Sequence, residues 1–146
     1  MEGSEEAVKE SEKTEARIWA MKLMSLWEQT EVPIRAIAKL ETKSSVQDWD
    51  KAFSNENSAA LMNAIEPAKE LPRPKQRELR KLKGCYTDLL ATCLKVGHLY
   101  LKSYYAGNLS RFGYSKMIFW TSFANDLLKE FLSGVDKVFH ELDASK

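Results

Sequence analysis

Glycine, proline, cysteine and histidine are all scarce in this 146-residue sequence, at six, four, two and two residues. The scattered glycines at 84, 97, 107 and 113 form no phosphate-cradling loop. Two histidines with no Glu-x-x-His pair exclude the ligand set of a di-iron bundle. Cys85 and Cys93 lie eight residues apart. On one helix that is a rise of about 12 Å, too far for a disulfide. They read as buried free thiols of a reducing compartment. No run reaches the roughly 18 apolar residues of a membrane span. The start, MEGSEEAVKESEKTEA, is acidic and lacks the apolar stretch of a secretory signal. The net charge of +1 leaves no global field to draw the chain onto nucleic acid or membrane. No strand alternation, internal repeat or low-complexity tract is present. These exclusions lead to an expected intracellular, soluble protein, cytoplasmic or nuclear, with no cofactor and no metal. One domain over 1–146 is expected, frayed at 1–5 and 144–146, and long enough to bury its own core.

What the sequence does have is helical periodicity. Leu79, Leu82, Tyr86, Leu89, Cys93, Val96 and Tyr100 step by threes and fours, predicting a helix from Pro74 to Ala106, with Gly107 ending it in a left-handed cap. A second seam, Met117, Trp120 or Thr121, Ala124, Leu127 or Leu128, Phe131, Val135, Val138 and Leu142, predicts a helix over 114–142 capped by Ser110 or Ser115. Ala16, Trp19, Leu23, Leu26 or Trp27, Ile34, Ile37 and Leu40 give an N-terminal helix over 5–43, which Pro33 must kink or divide near Thr30. Between them lies an interrupted helix. Ser45 and Asp48 form its capping signal, SNENS (54–58) a break, and Pro67 a bend. The expected fold is all-α, an up-down-up-down four-helix bundle.

Two surface features stand out. Arg73, Arg77, Arg80 and Lys81 fall opposite the seam, a stripe able to hold phosphates of nucleic acid or lipid headgroups. No aromatic residue interleaves it for base stacking, and the acidic start lies at the same bundle end. The second feature is YYAGNLSRFGYSKMIFW, where six of seventeen residues are aromatic. Tyr104, Met117 and Trp120 belong to the seams. Tyr105, Leu109, Arg111, Phe112 and Tyr114 remain at or beside the turn, the composition of a binding tip unless the loop folds back to seal the bundle. The N-terminal helix is apolar over a wide arc through Ile18, Trp19, Met21, Met24 and Trp27. That arc makes Trp19 a further partner-binding candidate, with a homodimer the simplest partner.

Reactive chemistry is sparse. Asp136 and His140 are spaced i, i+4, but two ligands make no metal site. His98 falls on the flank with Lys95 and Lys102. An outward histidine near a lysine on a helical bundle resembles a histidine phosphotransfer domain. That resemblance implies a signalling role, although in GHLYLKS Leu101 and Lys102 stand where the family has a lysine and then a small residue. The leading expectation is a non-catalytic protein-protein interaction or scaffold module, binding another protein or itself, with no small-molecule substrate. The alternatives are a peripheral binder of anionic membrane or nucleic acid, and the phosphotransfer-like domain.

Overall fold

The computed structural model describes residues 2–106 and 111–144, with side chains at 7, 9–102 and 114–142. It comprises α1 (Glu2–Ala38), α2 (Val46–Ala52), α3 (Asn55–Glu70), α4 (Arg77–Ala106) and α5 (Arg111–Ala144). No strand occurs among the described residues. α4 packs along α5, α1 along α3 and α5, and α3 along α4, while α1 and α4 also meet across the middle. This all-α bundle is compatible with the up-down-up-down order.

The three seams supply the core. All seven α4 residues from Leu79 to Tyr100 are buried, as are Met117, Thr121, Ala124, Leu127, Leu128, Phe131 and Val138 of α5. α1 contributes Ala16, Trp19, Leu23, Leu26, Trp27, Ile34 and Ile37. At the centre the Phe131 ring lies 5.1 Å from Trp27 and 5.4 Å from Tyr86. Thr30 donates to the Leu26 carbonyl at 2.9 Å. Its Oγ1 lies 2.7 Å from the Tyr86 hydroxyl, which is therefore the donor of that second bond. A fully buried polar pair is thus satisfied across two helices.

The structure corrects several boundaries. α1 is not divided at Thr30 and runs through Pro33. It ends at Ala38 rather than Lys43, because Glu41–Ser44 fold into a turn in which the Glu41 N–H donates to Ser44 Oγ at 3.0 Å. The Ser45 capping box forms, with Asp48 accepting from the Ser45 N–H at 2.9 Å. That bond holds the exposed Asp48 carboxyl below its ordinary pKa. The break before α3 is shorter than SNENS, since Ser54 already caps a helix that starts at Asn55. α4 starts at Arg77, not Pro74. Upstream of it, side chains rather than helical N–H groups take the carbonyls. Arg80 donates to Pro74 and Lys75, and Lys83 to Leu71 at 2.7 Å. α5 starts at Arg111, which puts Ser115 inside the helix rather than at its cap. Gly107 and Ser110, expected as caps, lie outside the described residues.

Gly97 has a packing reason. A Cβ there would meet the Phe53 ring at 3.2 Å. That close approach lets the short α2 lay Trp49 and Phe53 against Tyr100, at centroid distances of 5.7 and 5.3 Å. The Tyr100 hydroxyl also donates to Asp50.

These contacts rank two substitutions. Phe131→Ala removes a ring shared by α1 and α4 and is expected to destabilise by about 3–5 kcal/mol. Tyr86→Phe keeps the ring and loses one satisfied bond, at about 1 kcal/mol. Urea unfolding of both variants measures the order.

Candidate functional site

Tyr114 and Trp19 are the partner-binding candidates whose side chains the structure describes. Those of Tyr105, Leu109, Arg111 and Phe112 lie outside the described residues. Both visible rings are engaged within the chain. Tyr114 donates to the Thr42 carbonyl at 3.0 Å and leans on Trp49, tying α5 to the loop after α1. Trp19 is 6% exposed, and its indole N–H donates to the Pro72 carbonyl at 2.7 Å. It anchors the α3–α4 linker. The two rings therefore serve different parts of the bundle and share no site.

The four anion-binding candidates are likewise divided. Arg73, Arg77 and Lys81 are exposed, whereas Arg80 is spent on linker carbonyls. Lys81 lies 4.0 Å from Glu78. Arg73 instead joins Trp19, Ile18, Lys22 and Lys75 around an open groove floored by Ala16 and Pro74. Glu15 also lines this groove, so acid from α1 does meet the basic segment.

The aromatic surface itself lies elsewhere. Phe119 and Phe123 are 63% and 41% exposed on α5. Trp120 stands between them, edge-on to both, at 5.3 and 5.8 Å. Lys95 of α4 places its ammonium 4.0 Å from the centre of the Trp120 ring, a cation–π contact that fixes α4 beside this cluster. The Trp120 Nε1 is buried and has no acceptor among the described residues. From Leu89 to Asn125 the chain carries Lys95, Lys102, Arg111 and Lys116 and no acidic residue. Lys95 and Lys116 border this apolar face on one side, and Asp126 lies one turn beyond Phe123 on the other. Sequence reasoning missed the face by assigning Trp120 to the seam and leaving Phe119 and Phe123 unplaced. The available signal was spacing. Phe119 follows Met117 by two residues, or 200° around the helix, so a ring there must face away when Met117 faces in.

Reactive groups are few. His98, Asp136 and His140 are exposed. No group of three or more His, Cys, Asp or Glu residues converges among the described residues. No described helix is long and apolar enough to cross a membrane. Both thiols are buried and free. Burial pushes Cys93 up to about 12. Burial, then the charges of Glu130 and Asp88, push Cys85 up to about 11. Burial also pushes Tyr86 up to about 12. Thiolate chemistry is suppressed at both positions. No protein-family model, curated protein or solved structure matches the chain.

All three acids are harder to ionise folded than unfolded, so their contribution is complete below the ordinary thiol value of 9.0. It is lost as pH climbs through the folded values toward about 12. Denaturation midpoints are expected to be flat near neutrality and to fall steeply above the thiol range. Native protein should resist thiol alkylation at pH 8, and unfolded protein should react at both cysteines. Fast labelling of the native protein would contradict the buried placement.

Proposed function

We propose that this chain is a non-catalytic helical bundle that works by binding protein through the outer face of α4 and α5. One observation carries the reading. Phe119 and Phe123 stand in solvent beside a lysine-capped tryptophan, on helices whose opposite faces already fill the core. Aromatic anchors surrounded by charge are what binding hot spots are made of. Beyond their edge contacts with Trp120, the exposed parts of the two phenylalanines add little to the bundle's own stability. The suppressed thiols and the scattered, exposed histidines favour a binding role over a catalytic one.

Binding to anionic membrane or nucleic acid is the second reading, and the acid-free span from Leu89 to Asn125 is the observation that favours it. Salt separates the two, because phosphate contacts weaken steeply with added salt whereas aromatic contacts do not. Affinity capture from a cell lysate provides the test. Wild type is run beside Phe119→Ser/Phe123→Ser, with helical circular dichroism verifying the fold of the variant. The expected outcome is a discrete protein held by wild type at moderate salt and lost from the variant. Identical captures, or recovery of lipid or nucleic acid alone, would refute the reading.

A further inference from the structure

We infer that the partner on the α4/α5 face is a second copy of this chain, docked antiparallel about a two-fold axis. This rests on the reading above and names the occupant of that face.

The exposed stripes of α4 and α5 are self-complementary. On α5, Lys116, Phe119, Phe123 and Asp126 are spaced by three, four and three residues, and all four are exposed. That spacing puts them in one stripe of the helix. The stripe reads the same in reverse with its charges exchanged. Phe119 and Phe123 lie two residues either side of Thr121, and Lys116 and Asp126 five either side. An antiparallel copy centred at that level sets each Phe119 against the other's Phe123. It also sets each Lys116 against the other's Asp126.

α4 repeats the pattern independently. Asp88 and Lys102 lie seven residues either side of Lys95, and all three are exposed on one stripe. Rotation about Lys95 therefore faces each Asp88 with the other copy's Lys102. The two centres lie at the same level of the bundle, because Lys95 of α4 reaches the ring of Trp120, the neighbour of Thr121 on α5. One axis thus satisfies both helices. Lys95 itself, which the rotation would bring near its own copy, is turned back onto its own Trp120. Gly84 and Ala91, exposed on the same side of α4, leave room for close approach. A two-fold interface requires this kind of patch, in which residue i meets j and j meets i.

Analytical ultracentrifugation of the purified chain, from low to high micromolar concentration, tests the inference. The expected species at high concentration has twice the 16.7 kDa chain mass. Phe119→Asp/Phe123→Asp is expected to sediment as a monomer. Lys116→Asp alone or Asp126→Lys alone should each weaken association about tenfold by creating like-charge pairs. An equimolar mixture of those two single variants should restore it, since each copy then offers the other the opposite charge. Within one chain the two positions are about 15 Å apart, so rescue cannot arise internally. A monomer at every concentration would overturn the dimer. If such a monomer still captured another protein through its phenylalanines, the binding function would stand. If it instead bound phosphatidylserine vesicles through them, both readings would fall. A dimer that survives the phenylalanine variant would place the contact elsewhere and sink the proposal. A dimer indifferent to charge exchange would overturn the antiparallel register.

Discussion

Three helices are locked together where Thr30, Tyr86 and Phe131 meet. α1 presents a hydroxyl that has already given its proton to its own backbone. It can only accept, and α4 supplies the donor in the Tyr86 hydroxyl. α5 then closes the gap with Phe131, tilted against both Tyr86 and Trp27. A buried donor left without a partner costs about 1–3 kcal/mol, so this pairing fixes the relative rotation and register of α1 and α4 as well as holding them. Apolar seams alone would tolerate sliding. The Thr30–Tyr86 pair inside them does not.

The linker between α3 and α4 is held by side chains that reach for backbone carbonyls. Trp19, Arg80 and Lys83 together hold the carbonyls of Leu71, Pro72, Pro74 and Lys75. At α2, Tyr100 and Tyr114 bind Asp50 and Thr42. Long polar side chains on rigid helices thus do what regular hydrogen bonding does elsewhere, and this is why part of the basic stripe is structural.

How much of this could be read from sequence depended on periodicity. The α1, α4 and α5 seams were legible because burial repeats every three or four residues, and Ser45–Asp48 because a capping box is local. The start of α4 was not, because Pro74 satisfies the steric rule for a first turn while Arg80, six residues on, takes its carbonyl. Trp19 looked like a partner anchor because a wide apolar arc does not reveal that Pro72 lies over it. The Phe119–Phe123 face was hidden by its neighbours. Rings of both the inner and the outer stripe of α5 fall in one short stretch. Composition counts them together, and only helical angle separates them.

α5 therefore has two apolar stripes, an inner one that holds the fold and an outer, exposed one that we propose is offered to a partner. That division is the centre of the account. Urea unfolding of Phe119→Asp/Phe123→Asp at submicromolar concentration, where association plays no part, tests it most directly. The account predicts a monomer stability within about 1–2 kcal/mol of wild type, since only the edge contacts with Trp120 are lost. A loss of several kcal/mol would show that both rings belong to the core, and would contradict it.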